Sequence, residues 1–244
     1  MITSFKANII AQLQKDILPL QGFKPVPNGT GVDIGLGPIN IAFPNEIFPL
    51  GVVHEFICAV TEDVSASCGF ISGILSSLMH SGGAGIWISS SQTVFPTALK
   101  SFGIDPHKII FINLKKEKEI AWALEEALKC DGLAAVVGEV RELSFTVSRR
   151  LQLAVEQSRV TGFILRPNPR NLTTTACVTR WKITSIPSML ADDMPGVGFP
   201  RWNVELLKVR NGKPGTWQIE WVGGKFRHVY QFASMIEKQQ KKTG

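Results

Sequence analysis

Between Lys24 and Lys100 the 244-residue sequence has no lysine or arginine at all. A phosphate-binding loop needs a cation as well as glycines, so this absence weighs against nucleotide chemistry in the first 99 residues. No run of eighteen apolar residues occurs, which excludes a membrane-spanning helix from the sequence pattern. Cys58, Cys68, Cys130 and Cys177 contain no C-x-x-C pair, and the four histidines are just as scattered. A zinc site is therefore not expected, and no residue is assigned to a metal or cofactor. The cysteines read as small, reduced core or loop residues. Internal repeats and low-complexity blocks are also missing. Gln12, Gln14, Lys15 and Asp16 interrupt any signal-peptide core near the N-terminus, so a cytoplasmic location is the expectation.

What is present is the composition of a folded domain. Apolar residues make up 44% of the chain and charged residues 19%, enough for one sizeable core and too little net charge for a disordered chain. The net charge of +6 is uneven. Residues 1–99 carry three lysines against six acids, a balance of −3, which leaves +9 on residues 100–244. A basic half suits an anionic partner, nucleic acid or an acidic protein. An ordinary solvated basic surface explains it equally well.

Residues 4–18 carry Phe5, Ile9, Ile10, Leu13 and Ile17 at helical spacing, with Ser4 as a cap and Pro19 beyond the end. Residues 22–45 are rich in Gly and Pro and read as an arm or linker. Val52–Ile57 then reads as a buried strand, residues 58–69 as a polar loop, and Phe70–Met79 as a helix. Strand, loop, helix is the frame of a phosphate site. This loop holds one glycine, no lysine, and the carboxylates Glu62 and Asp63, which read as solvated rather than as a cation site. Further strands are expected at Ile86–Ile88, Ile109–Ile112, Leu133–Val137 and Thr161–Leu165. Helices are expected at Pro96–Phe102, Lys118–Lys129 and Ser144–Gln157. This alternation predicts an α/β fold with a mostly parallel sheet flanked by helices. After Arg166 the pattern turns β-rich over 173–186, 202–208 and 217–221, and Arg210–Gly215 reads as a hairpin turn. The expected organisation is an N-terminal helix (1–21), the arm (22–45), a domain with its C-terminal hairpin (46–225) and a basic tail (226–244).

The stretch from about Phe48 to Leu165 resembles the RecA recombinase core. Pro49–Phe56 resembles the strand entering the P-loop, Ile86–Asp105 the segment of the catalytic glutamate, and Ala121–Leu143 the Walker B region. The catalytic positions do not carry over. No Lys-Thr pair stands in Val64–Gly69, the catalytic glutamate falls on Ser91, and the Walker B aspartate falls on Gly138, with Glu139 beside it. Within that superfamily the chain resembles the ImuA family of error-prone repair proteins. The resemblance lies in Trp122–Leu128, Val137–Val140, Ser148–Ala154, Thr179–Ile183, Pro200–Leu207 and Pro214–Trp221. It implies a RecA-like fold and a non-catalytic accessory of damage-induced mutagenesis. The implied partners are an ImuB-type Y-family polymerase-like protein, the RecA recombinase and an error-prone DnaE-type polymerase. Three lost catalytic positions make an ATPase an unfavoured reading.

Four cations stand out as contacts for DNA or a partner. Arg149 and Arg150 follow Ser148 on an expected helix, with pairing to Glu142 or Glu156 as the plainer reading. Arg180 and Lys182 flank Trp181, an arrangement suited to single-stranded DNA, although strand alternation favours Trp181 as core. Trp202, Trp217 and Trp221 also read as packing. His54 and Glu55 are adjacent on a strand, point to opposite faces and do not form an acid-base pair. Three functions stay open: a non-catalytic adaptor, a residual nucleotide-dependent switch or ATPase using Glu139, and a stand-alone DNA-binding module whose affinity falls steeply with salt.

Overall fold

Val53–Cys58, the first strand (β1), is buried at every position and sits inside the sheet rather than at its edge. The structure, a computed structural model, describes residues 33–80, 82–91, 94–189 and 198–229. The chain divides into Met1–Asp33 and Ile34–Gly244, and the elements below belong to the second unit. The expected N-terminal helix, the arm up to residue 32 and tail residues 230–244 lie outside the described residues.

After β1 come α1 (Thr61–Met79), β2 (Ala84–Ser89), a 3-10 helix (Pro96–Phe102), β3 (Ile109–Asn113), α2 (Glu117–Leu128), β4 (Leu133–Glu139), α3 (Phe145–Ser158) and β5 (Thr161–Pro167). Then follow β6 (Thr179–Ile186), β7 (Arg201–Val209), β8 (Gly215–Val222) and β9 (Lys225–His228). They form one sheet in the order β3-β2-β4-β5-β1-β6-β7-β8-β9. β1 pairs in parallel with both β5 and β6, and the pairs β2–β3, β2–β4 and β4–β5 are parallel too. From β6 onward neighbours run antiparallel. This is the expected α/β class, with the expected hairpin as β7–β8 and β9 as an additional strand.

Each face of the sheet has its own chemistry. On one, Leu124, Leu128, Leu151 and Val155 of α2 and α3 close over Val53, Ile88, Val136 and Ile164. On the other, α1 meets aromatics. Trp181, fully buried as alternation predicts, stacks on Phe56 at 6.1 Å and lies 5.8 Å from Phe70, which itself lies 5.3 Å from Phe226. Each such ring pair adds about 0.5–1.5 kcal/mol beyond the area it buries.

The twelve-residue loop expected at 58–69 is absent. Only Ala59 and Val60 separate β1 from α1, and the helix runs nineteen residues. Its first turns hide from periodicity because their buried face, Asp63, Val64, Ala66, Ser67 and Cys68, has Val64 as its one sizeable apolar side chain. Gly69, the glycine of the expected loop, is inside the helix. A Cβ there would come 2.9 Å from the Trp202 ring, and one at Gly73 would come 2.9 Å from Trp221. Bare backbone on this side of α1 lets β7, β8 and β9 bring their rings close, which offsets the roughly 1 kcal/mol that a helical glycine costs against alanine.

The packed body also extends past the expected 46–225 span. Leu36 and Ile39 are fully buried, the latter in a 3-10 helix over Gly37–Ala42, so this end of the arm is core. The His228 ring bonds the Leu36 carbonyl at 2.8 Å and joins β9 to it.

Candidate functional site

An open α/β sheet holds ligands outside the carboxyl ends of its parallel strands. At β1 that end is closed by the chain's own carboxylate. The Ala59 and Val60 N–H groups donate to Asp63 Oδ2 at 2.9 and 3.3 Å, and Asp63 is 5% exposed. Val60 precedes the first helical residue and has no polar side chain, so only the Asp63 half of a reciprocal cap forms. Negative charge thus already occupies the end of α1 that would attract a phosphate. Burial pushes the Cys58 thiol up to about 11, and its S–H points at Ser67 Oγ, 3.4 Å away. The site therefore presents a neutral thiol, a hydroxyl and an anion, with no cation.

The two other positions that the RecA resemblance ties to ATPase chemistry hold a serine and a glycine. Ser91, where the catalytic glutamate would fall, is exposed, and its carbonyl accepts from Ser89 Oγ at 2.7 Å. Gly138 faces α2. A Cβ at that position would lie inside van der Waals distance of three Leu124 carbons, with Cγ at 2.6 Å. Leu124 is fully buried, so no side chain fits at 138 unless α2 or the Leu124 rotamer shifts. Glu139 is 6% exposed and, by strand alternation, turned the opposite way.

Beyond β5 the chain runs from Asn168 to Val178 without forming a strand, although β structure was expected from 173. Cations hold this segment by its carbonyls. Arg141 Nε donates to the Asn168 carbonyl at 2.9 Å, Arg166 to Asn171 at 3.1 Å and Arg180 to Thr173 at 2.7 Å. Lys208 donates to Thr175 at 2.8 Å and Cys177 at 3.1 Å, and Arg210 to Ala176 at 3.0 Å. Burial pulls the Lys208 ammonium below its usual range. Beneath the segment lies Glu55, fully buried in β1. It pairs with Arg166 at 2.6 Å and Arg180 at 2.8 Å, and accepts from Thr175 at 2.8 Å. Much of the positive charge in the second half is thus employed internally, satisfying carbonyls that no ladder satisfies.

A crevice of about 410 Å³ opens at the carboxyl ends of β4 and β5 and the start of α2. Lys115, Arg141, Glu117 and Glu139 line it, with Ile120 and Asn168. Glu117 is engaged, accepting from the Glu142 N–H at 3.0 Å.

The four cations singled out in the sequence do not converge. Arg149 pairs with Glu156 at 3.6 Å, and Arg150 with Glu125 of α2. Arg180 is committed to Glu55, and Lys182 pairs with Glu205 of β7 at 3.4 Å. His54 and Glu55 face opposite ways as expected. His54 stacks on Phe48 and Phe163 and bonds Thr179 Oγ1 at 2.7 Å and the Pro49 carbonyl at 2.9 Å. What the sequence reading missed is Glu55 with Arg166, and the crevice pair Lys115 and Arg141. The signal for the first was visible as a lone glutamate in an apolar strand. Among the described residues no group of three or more His, Cys, Asp or Glu could hold a metal ion, and no helix is long and apolar enough to cross a membrane.

Comparison with known proteins places this geometry. The RadB recombinase crystal structure superposes with a TM-score of 0.57, covering 82% of this chain and 100% of that one at 13% identity, which establishes a RecA-like fold. No family model matches the chain. Protein ImuA of Caulobacter vibrioides, in strains NA1000 / CB15N and ATCC 19089 / CIP 103742 / CB 15, is 34% identical over 201 residues. The match takes in 78% of this chain and 82% of those proteins. With that identity across most of both chains, this chain belongs to the ImuA family.

Proposed function

We propose that the chain is a non-catalytic accessory of damage-induced, error-prone translesion DNA synthesis, a RecA-like frame that binds partner proteins and does not turn over nucleotide. The observation that carries this reading is Asp63, whose carboxylate takes the Ala59 and Val60 N–H groups at the head of α1. A triphosphate would have to displace that anion and would find no lysine between residues 25 and 99. Gly138 packed under Leu124 and Ser91 in place of a glutamate support the same conclusion. Family membership supplies the partner expectation: an ImuB-type polymerase-like protein, the RecA recombinase and an error-prone DnaE-type polymerase. The internal pairing of Arg149, Arg150, Arg180 and Lys182 favours protein partners over an autonomous DNA-binding surface.

The test is ATP binding and hydrolysis by the purified protein with magnesium, with and without single-stranded DNA, alongside capture of the purified partners. The expected result is no nucleotide binding, no turnover, and a stable complex with at least one partner. Clear turnover overturns the non-catalytic reading. Failure to bind any of the three overturns the adaptor reading.

A further inference from the structure

The crevice beside β4 and β5 has a feature that the internal charge pairing elsewhere makes conspicuous. Lys115 and Arg141 on its walls make no ion pair among the described residues, and neither do Lys118 and Arg170 nearby in the chain. Arg141 is held in place by its Nε bond to Asn168, which leaves the terminal nitrogens of its guanidinium for another acceptor. Exposed cations on a concave wall favour an oxyanion. The same wall carries Glu117 and Glu139. A nucleic-acid strand, with a charge on every phosphate, runs against those carboxylates. A peptide brings isolated carboxylates between neutral amides, which meet less repulsion from the acidic side of the wall than a row of phosphates does. About 410 Å³ accommodates one or two side chains and not a long polymer.

We infer that this crevice docks an acidic segment of a protein partner, with one partner carboxylate seated between Lys115 and Arg141. The inference rests on the adaptor reading and adds to it a place and a chemistry. Binding contributed by such a seat is a charge-assisted contact, so it is sensitive to reversal of a single wall charge.

The experiment compares wild type with Lys115→Glu, Arg141→Gln and Lys225→Glu, the last a charge reversal on β9. Dissociation constants are measured for the purified ImuB-type, RecA and DnaE-type proteins and for a labelled oligo(dT) strand. Lys115 holds no hydrogen bond among the described residues, so its variant keeps the fold even if Arg141→Gln loosens the Asn168 segment. The expected result is five- to fifty-fold weaker partner binding for Lys115→Glu and Arg141→Gln, and a change within twofold for Lys225→Glu. Equal partner binding by all four proteins overturns the crevice assignment and leaves the adaptor reading standing. Oligo(dT) binding that Lys115→Glu abolishes gives the crevice to nucleic acid and overturns the peptide assignment. Wild type that binds no partner removes the adaptor reading and this inference with it.

Discussion

Placing an aspartate at position 138 tests whether Leu124 of α2 occupies the space a side chain would need there. Gly138 lies under Leu124, and even a methyl group there would sit 2.6 Å from Leu124 Cγ. Ordinary carbon contacts need more than 3.5 Å, so α2 or the Leu124 rotamer has to shift. Overpacking of this kind costs about 1–3 kcal/mol, which sets the expectation for Gly138→Ala. Gly138→Asp adds the burial of a carboxylate against apolar carbons, a further 2 kcal/mol or more, roughly, unless it stays protonated. For a chain of this size each kcal/mol lowers Tm by about 2–4 °C. The assay is urea denaturation of the single variants, of Leu124→Ala and of the two doubles. Leu124→Ala alone costs about 2–5 kcal/mol through the cavity it leaves. In combination with Gly138→Ala the new methyl occupies part of that cavity, so the double is more stable than the sum of the singles by about 1–2 kcal/mol. Strict additivity, or a Gly138→Asp protein as stable as wild type, refutes the claim that Leu124 has taken the space.

Replacing Glu55 by Gln takes from the fully buried Arg166 its close carboxylate and leaves it only the Glu142 carboxylate at 3.9 Å, and the expected loss in urea unfolding is about 3–5 kcal/mol. A loss below about 1 kcal/mol contradicts the buried-pair account. Burial holds the His54 imidazole neutral, with its pKa down from 6.5 to about 3. Below pH 6.5 the unfolded chain therefore takes a proton that the fold refuses. Stability is full above that pH and falls by about 1.4 kcal/mol per unit as pH drops toward 3. Urea unfolding of His54→Phe should be less steep between pH 6.5 and 4, and an unchanged slope rejects the assignment. Burial also raises the thiols of Cys58, Cys68 and Cys177, while Cys130 is exposed. A thiol-reactive dye at pH 8 should label one cysteine quickly and three only on denaturation; rapid labelling of two or more contradicts the burial.

The core strands were legible because each is a short apolar run between turn residues, and Ile88, Val136 and Ile164 all landed in one core. The first three turns of α1 were not. Helical period is read from large apolar residues, and before Phe70 this helix buries an aspartate, an alanine, a serine and a cysteine beside the single valine Val64. β9 escaped for a similar reason, since Lys225–His228 has one apolar residue and exists by pairing with β8. At the candidate site the absence of a lysine and the single glycine of residues 58–69 were legible, and the side-chain pairings were not. Glu55 meets Arg166 across 111 positions and Arg180 across 125, and no local pattern encodes such partners. Local reading did find the acid waiting for Arg149, because Glu156 lies on the same helix.

The central position of β1 has a consequence for biosynthesis. Its hydrogen-bonding neighbours, β5 and β6, begin at Thr161 and Thr179, so β1 leaves the ribosome more than a hundred residues before either edge can be covered. At translation rates of about 5–20 residues per second that interval lasts several seconds or longer. During it Val53, Phe56 and Ile57 form an exposed, apolar, β-prone segment of the kind that aggregates. The head of α1, capped locally by Asp63, needs no distant residue to form. The nascent chain therefore has a helix that can shield one face of β1 early, while its two edges wait for the second half of the protein to be made.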